Sequence, residues 1–459
     1  MIAWRLSEVV RCSQGRMAGE DREFTSVSTD TRTMQPGALF VALAGPTFDG
    51  HDFVATAAEK GAAAALVSRP LSVDLPQIVA ADPLAALSDF ARAWRRQFKI
   101  PVIGVTGSNG KTTTKELVGS ILSQLGPTLV TRGNLNNHIG VPLTLLELTD
   151  QHRYAVIEMG ASHTGEIAHL ASLAEPTIGI VTNAGAAHLE GFGSLQGVAD
   201  GKGELFHALP LEGVAVINAD DKFASQWRDT TTADRVLTFG FEQPADFMAH
   251  KVREVSSPAG FRIDFDLVTP EGTLPASIPL AGLHNLRNAL GAAAAACAAG
   301  TPVEQIVSGL AAMKTVAGRL ELKPAINGAF IVDDSYNANP SSLKAGLDAM
   351  RSFAGPRWLV LGEMKELGPA SDEFHAEVGR YARQAGIERL LAVGEGSHFA
   401  VEAFGPGGQW FADVDALIRD ARTSLTSGVA VLIKGSRANR LERVSAALSA
   451  APGDNDGHH

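Results

Sequence analysis

Short apolar runs separated by polar, glycine-rich turns recur along the chain, and the character of the pattern changes twice. Residues 1 to about 97 place Leu39-Phe-Val-Ala-Leu, Ala64-Ala-Leu-Val and Gln77-Ile-Val-Ala between turn-rich stretches such as Gly45-Pro-Thr-Phe-Asp-Gly, which predicts a small α/β unit. Ala86 to Gln97 carries Phe90, Ala93 and Trp94 at helical spacing, with Phe98 just beyond it, and stops at Ile100-Pro101, predicting a connecting helix. From Val102 onward, apolar strands alternate with helical stretches: Val102-Ile-Gly-Val-Thr, Tyr154-Ala-Val-Ile-Glu, Ile178-Gly-Ile-Val-Thr and Val214-Ala-Val-Ile-Asn. That alternation predicts a mostly parallel, doubly wound sheet. A polar, β-rich passage runs from about Thr238 to Pro279, followed by an alanine-rich stretch, Ala289 to Gly300, expected as a closely packed buried helix. A third α/β series begins near residue 316 with Phe330-Ile-Val-Asp, Trp358-Leu-Val-Leu-Gly, Leu390-Leu-Ala-Val-Gly and Val429-Ala-Val-Leu-Ile-Lys. The expected domains are 1–97, 98–315 and 316–459.

Composition narrows the function classes. At roughly 100 to 200 residues per domain, 459 residues fit three domains, and 45% hydrophobic with 19% charged residues is the mixture of a folded protein. The net charge of −11 argues against nucleic-acid binding, so an anionic ligand must be held by local devices such as helix N-termini, metal ions or a few placed cations. Cys12 and Cys297 are too few and too far apart for a disulfide framework. The start, Met1-Ile-Ala-Trp-Arg-Leu, has no signal-peptide pattern, and the alanine-rich run is shorter than the roughly 20 residues of a membrane span, so a cytoplasmic location without membrane contact is expected. Ala451 to His459 reads as a polar tail, and its histidine pair as tail rather than metal site.

Val102-Ile-Gly-Val-Thr-Gly-Ser-Asn-Gly-Lys-Thr-Thr-Thr has the strand, glycine turn and Lys-Thr helix start of a phosphate-binding loop. Val105 replaces the first glycine of the strict pattern, so the match is to the shorter Gly-x-x-Gly-Lys-Thr. Glycines let backbone N–H groups surround phosphate oxygens, Lys111 neutralises the outer phosphates, and Thr112 is a candidate Mg²⁺ ligand. Glu158 ends an otherwise apolar strand, where a charge needs a partner, and is the candidate metal carboxylate. His188 follows the next strand; taken alone it is an ordinary loop histidine, and Lys202 alone a surface lysine. Arg319 alone would pair with Glu321 on the surface, and Ser28, Asp30 and Arg32 fit a common turn with a local ion pair.

The order Thr106-Gly-Ser-Asn-Gly-Lys-Thr-Thr, Glu158-Met-Gly-Ala, Asn183 to His188-Leu-Glu-Gly-Phe, Lys202-Gly-Glu, His284-Asn-Leu-Arg-Asn-Ala, Gly318-Arg-Leu-Glu and Asp333-Asp-Ser-Tyr-Asn-Ala-Asn-Pro spans all three segments. It resembles the Mur ligases, ATP-dependent amide-bond-forming enzymes of peptidoglycan precursor synthesis. The resemblance implies a three-domain α/β architecture: a small N-terminal uridine-binding domain, a central P-loop ATPase domain and a C-terminal Rossmann-like domain. It implies ATP held by Gly107, Ser108, Asn109, Gly110, Lys111, Thr112, Thr113, Asn285, Asn288, Arg319 and Asp334, with two Mg²⁺ ions on Thr112, Glu158, His188 and a carbamoylated Lys202. Lys111, His188 and Lys202 are then the expected catalytic residues.

Val27-Ser-Thr-Asp-Thr-Arg and Asp49-Gly-His-Asp-Phe resemble the family's uridine-nucleotide domain, which implies that Ser28, Asp30, Arg32 and His51 face a UDP-sugar. Asn134 and Asn137, in Asn134-Leu-Asn-Asn-His-Ile-Gly, resemble its substrate loop, although loop asparagines are also common turn formers. Tyr336 and Asn337 are expected on the substrate side. Lys434, at a strand end, is an acceptor-side cation or simply solvated. The Asp-Asn-Pro-Arg stretch of diaminopimelate-adding enzymes is absent, while Asp334-Ser-Tyr-Asn-Ala-Asn-Pro and Leu361-Gly-Glu-Met-Lys-Glu-Leu-Gly, followed by Ser371 and His375, resemble the branch that adds D-alanyl-D-alanine to a UDP-N-acetylmuramoyl-tripeptide. The competing expectations are a ligase adding a single amino acid, a folylpolyglutamate synthetase, and a regulatory P-loop ATPase. Small-molecule substrates and a monomer suffice for every ligase reading.

Overall fold

The computed structural model describes residues 4–257 and 260–450; Met1 to Ala3 and the tail Ala451 to His459, with its histidine pair, lie outside the described residues. Three main sheets carry the chain, their inner strands formed where short, mostly apolar runs find partners on both sides. The first has five strands in the order Arg16–Ala18, Gln77–Val79, Ala64–Val67, Ala38–Val41, Ser26–Ser28, antiparallel only at its first pair. The second has six parallel strands in the order Arg235–Phe239, Val214–Asn218, Ile178–Val181, Val102–Thr106, Tyr154–Glu158, Thr128–Val130. The third also has six, in the order Glu321–Pro324, Phe330–Asp333, Ala430–Lys434, Arg357–Gly362, Arg389–Val393, Gly408–Phe411, antiparallel only between the first two.

The β-rich passage is a three-stranded antiparallel sheet, Met248–Ser257, Gly260–Thr269 and Gly272–Ile278. The alanine-rich stretch is the helix Leu283–Ala298, buried against Leu117 and Ile121 of the helix Lys111–Leu122. Small side chains there allow close helix approach, and a Cβ on Gly291 would sit 2.9 Å from Ile180 Cδ1. No helix among the described residues is long and apolar enough to cross a membrane.

Asp82 caps the connecting helix Pro83–Arg95 by accepting from the N–H groups of Leu84 and Ala85. Its aromatic face joins Trp4, Phe24, Phe90, Trp94 and Phe98 into the same core as Val141, Ile157 and Leu170 of the second sheet's layer. Trp94 Nε1 donates to Leu148 O and the Arg95 guanidinium to Ala174 O. The first and second sheets therefore share one core, which length alone would not predict.

In the second sheet, Val102–Thr106 lies between Tyr154–Glu158 on one side and Ile178–Val181 on the other, so the strand order reverses there. Such a reversal opens a crevice beyond the carboxyl ends of the strands, where open α/β sheets bind ligands. Register aligns Glu158 with Val105 and Val181 with Thr106, bringing the phosphate loop, Glu158 and the segment leading to His188 to one edge. The third sheet repeats this arrangement: Asp333 aligns with Ile433, and Lys434 with Leu361.

Candidate active site

Two glycines give the phosphate loop its shape. Gly107 has φ 142° and Gly110 has φ 81°, and a Cβ on either would lie 2.0 Å from Thr182 Oγ1 or 2.3 Å from Asn288 Oδ1. Asn183 moors the loop: its carbonyl accepts from Ser108 N at 2.9 Å and its Oδ1 from Asn109 N at 3.1 Å. Lys111 Nζ folds back onto the Gly107 carbonyl at 2.6 Å. Burial lowers its pKa, with Glu158 opposing and Arg319 reinforcing the shift.

Glu158 is 2% exposed. Its Oε1 accepts from Asn136 Nδ2 at 2.7 Å, while Oε2 is buried without a hydrogen-bond partner, the nearest cation being Lys115 Nζ at 3.8 Å. An orphaned carboxylate oxygen at a cleft wall fits a divalent cation, a hard ion that prefers oxygen ligands. His188 lies on the same wall in a left-handed conformation, φ 53°, and its Nδ1 pairs with Glu366 from the third sheet's loops, leaving Nε2 as the nitrogen for a ligand. Burial holds the His188 pKa down. Lys202 is 1% exposed, donates to Ala161 O at 2.9 Å and sits over the Phe192 ring; burial, then Lys111, push it down to about 7. Among the described residues no three His, Cys, Asp or Glu side chains converge on one point, so a cation here would take further oxygens from nucleotide or from a modified Lys202.

Two clefts meet at the loop. The larger, about 740 Å³, is lined by Lys111, Thr112, Asn134, Asn136, Asn137, Glu158, His188, Arg319, Tyr336 and Asn337. The smaller, about 390 Å³, is lined by Thr113, His284, Asn285, Asn288, Asp334 and Lys434. Asn109, Gly110, Thr112, Arg319 and Ser342 border both. The loop also touches the third domain directly: Asn109 donates to Ser341 Oγ at 3.0 Å and accepts from Asn339 Nδ2 at 2.7 Å. Asn339 is itself the N-cap of the helix Pro340–Ala349. Arg319 stacks on Tyr336, its guanidinium carbon 4.3 Å from the ring centre, while Glu321 pairs with Lys323 instead; the surface pair between Arg319 and Glu321 does not form.

The chain matches a Mur ligase family, catalytic domain model over residues 23–95, a Mur ligase middle domain model over 105–296 and a Mur ligase glutamate ligase domain model over 318–437. The UDP-N-acetylmuramoyl-tripeptide--D-alanyl-D-alanine ligase of Escherichia coli (strain K12) is 44% identical over 98% of this chain and 99% of its own length. The chain belongs to the Mur ligase family. Among solved structures, a crystal structure of MurF from Acinetobacter baumannii superposes with a TM-score of 0.89 at 35% identity, covering 97% of this chain and 98% of its own. MurF ligase from Thermotoga maritima in complex with ADP gives 0.81 at 29% identity, covering 92% and 96%.

In this Mur ligase the expected nucleotide, metal and substrate-loop residues gather at the two clefts, with two qualifications. Gly107 shapes the loop without lining a cleft, and Lys202 lies just behind the wall at Ala161. The N-terminal set does not join them, since no cleft-lining residue precedes Ser108. Ser28, Asp30 and Arg32 close on one another, with Ser28 Oγ at the Asp30 backbone and Arg32 in a bidentate pair with Asp30 that brings the Asp30 carboxyl down to about 2. His51, expected to face a UDP-sugar, is instead buried, Nδ1 against Asp49 Oδ1 and Nε2 accepting from Ser68 N. With both ring nitrogens engaged, it has none left for a UDP-sugar.

Lys434 is likewise corrected. It is not a solvated strand-end lysine: it is 2% exposed, pairs with Asp334 Oδ2 at 2.5 Å and lines the smaller cleft with Asn285 and Asn288. Its charge and Arg287 add to burial in pushing His284 down to about 4. Asn137 serves locally, its Oδ1 accepting from Ile139 N and Gly140 N at the start of the helix Gly140–Leu145. Asn136, Glu366 and Lys115 were not predicted. Asn136 and Glu366 lie inside quoted motifs but were not singled out, whereas Lys115 carried a signal of its own: it shares a helical face with Val118 and Leu122, where a lysine does not belong unless it has a buried partner.

Proposed function

We infer that this Mur ligase joins D-alanyl-D-alanine to UDP-N-acetylmuramoyl-tripeptide, driven by ATP. The observation that carries the reading is the junction of the two clefts at Thr112 and Arg319, beside Lys111: a nucleotide in the smaller cleft would present its terminal phosphate to a carboxylate in the larger. The full-length relative named for that activity supports the choice of substrates.

The chemistry follows from charge. A tripeptide carboxylate oxygen attacks the γ-phosphorus, the bond to the bridging oxygen of ADP breaks, and an acyl phosphate forms. The dipeptide amine then attacks the acyl carbon, sheds a proton, and expels phosphate through a tetrahedral intermediate. Both anions must first be brought together, and Lys111 and Arg319, at the junction of the clefts, are the cations proposed to reduce their repulsion. Asn285 and Asn288 are the proposed contacts for the base, and Asp334, held by Lys434, for the ribose side. Tyr336 and Asn337 belong to the larger cleft with Asn134. Contact of the phosphate loop with Asn339 and Ser341 lets the third domain close over the site and keep water from the acyl phosphate.

Thr112, Glu158, His188 and a carbamoylated Lys202 would hold two Mg²⁺ ions. When bound, they would supply charge neutralisation for the transferring phosphoryl group. A Lys202 pKa near 7 populates the neutral amine, the form that adds to carbon dioxide. Arg32, its side chain 86% exposed and steadied by Asp30, is the N-terminal residue proposed to meet the UDP moiety. The reading puts the enzyme in the cytoplasm, with ATP and UDP-linked precursors, and needs only one chain, since one chain builds both clefts.

Phosphate release with Mg²⁺-ATP and UDP-muramoyl-tripeptide, assayed beside D-alanyl-D-alanine, single amino acids or no acceptor, tests the reading. Release that depends on both the tripeptide and the dipeptide, with a pentapeptide product by mass, is expected. Release with a single amino acid, or with no acceptor, would contradict it.

A further inference from the structure

The helix that begins with Lys111 carries a second lysine one turn deeper. Lys115 is 0% exposed, and its burial is costly unless something in the interior requires a positive charge. Its ammonium donates to Thr131 O at 2.7 Å, lies 2.8 Å from Glu116 Oε1 and stops 3.8 Å from Glu158 Oε2. Glu116 alone does not account for this placement, because its carboxylate is partly solvated and would pair as well with an ammonium at the surface.

Thr131 is the shared node. Its carbonyl takes the Lys115 ammonium, while its Oγ1 accepts from the Glu158 backbone N–H at 2.9 Å. Asn136 closes the other side by donating to Glu158 Oε1 at 2.7 Å. Together these contacts fix the Glu158 backbone, occupy one carboxylate oxygen, and place a counter-charge near the other without forming a hydrogen bond to it. Oε2 stays buried and unpartnered. A lysine free to move would collapse onto that oxygen; Thr131 and Glu116 hold it off.

We propose that Lys115 is a positioning residue for Glu158, the buried counter-charge that, with Thr131 and Asn136, keeps one carboxylate oxygen free at the cleft wall. The proposal rests on the reading of Glu158 as a metal ligand, and its purely structural half can be tested without metal. In the metal-free full chain, thermal unfolding of Lys115→Met, Glu158→Gln and the double variant should be non-additive, the double losing less Tm than the sum of the singles. If Lys115→Met fails to fold, the double variant should fold; additive losses, or a double that also fails, overturn the proposal.

The second readout is calorimetric binding of ADP across a Mg²⁺ titration. Lys115→Met should raise the Mg²⁺ needed for half-saturation by about tenfold while metal-free ADP affinity stays at the wild-type value. An unchanged Mg²⁺ requirement in Lys115→Met, where Glu158→Gln raises it, overturns the positioning role. Glu158→Gln run in parallel separates the two claims: if it also leaves the Mg²⁺ requirement unchanged, the metal reading of Glu158 has failed, and the Tm coupling alone decides the role of Lys115.

Discussion

The phosphate-loop wall and the N-terminal turn at Ser28 to Arg32 both place polar side chains at strand ends, and they differ in what those side chains are left to do. At the N-terminal turn and at His51 the polar circuits close locally: Arg32 on Asp30, Ser28 on the Asp30 backbone, His51 between Asp49 and Ser68. Around the loop they stay open. Glu158 Oε2 is buried without a partner, Lys202 is buried against one carbonyl, and Lys111 is folded onto its own loop. An unmet buried polar group costs about 1–3 kcal/mol, so a protein keeps several together only where a ligand completes them. Closed circuits stabilise the fold; open ones mark where the chemistry happens.

The largest break in this comparison should come from Lys111→Ala. Removing the cation proposed to neutralise the transferring phosphate should cut kcat by about 10³-fold or more, with Tm close to wild type, measured as phosphate release. Loss of stability in place of activity would make Lys111 part of a closed circuit. His51→Ala should show the opposite split. It leaves Asp49 short of a partner and should cost about 2–3 kcal/mol of stability, with kcat at permissive temperature nearly unchanged.

The open character of Lys202 sharpens the comparison through pH. Its pKa falls from 10.5 unfolded to about 7 folded, so between these values the unfolded chain binds the extra proton and the folded chain does not. Its burial penalty is full below pH 7 and fades toward 10.5. In buffer free of carbon dioxide, where Lys202 carries no carbamate, the Tm advantage of Lys202→Met over wild type should therefore be greatest below pH 7 and shrink as pH rises. A pH-independent difference would contradict the buried-amine account. The smallest stability effect should be that of Arg32→Ala, with Tm nearly unchanged because the pair is exposed. The KM for the UDP-substrate should rise while the KM for ATP holds; an unchanged KM would remove Arg32 from the site.

The central strands and the loop were legible because apolar runs ending in glycine leave few alternatives, and the register then brings Glu158 beside the loop as expected. Thr128–Val130, Glu321–Pro324 and Gly408–Phe411 were not anticipated: short edge strands carry too few residues for a period to register. Among Asn134, Asn136 and Asn137, sequence spacing could not separate the residue that holds Glu158 from the one that caps a helix. Lys434 and His51 misled for a common reason. Whether a polar side chain faces a cleft or a buried partner depends on residues far away in sequence, Asp334 for one and Ser68 for the other. Glu366 reaches His188 across a domain boundary, which no local pattern encodes.

The most direct test of the central claim, that the cleft junction brings a carboxylate to the terminal phosphate of ATP, is an isotope transfer. With UDP-muramoyl-tripeptide labelled with oxygen-18 in its terminal carboxylate, the account predicts one labelled oxygen in the released phosphate for each pentapeptide formed. Unlabelled phosphate accompanying pentapeptide would mean that the carboxylate never attacked phosphorus, and would contradict it.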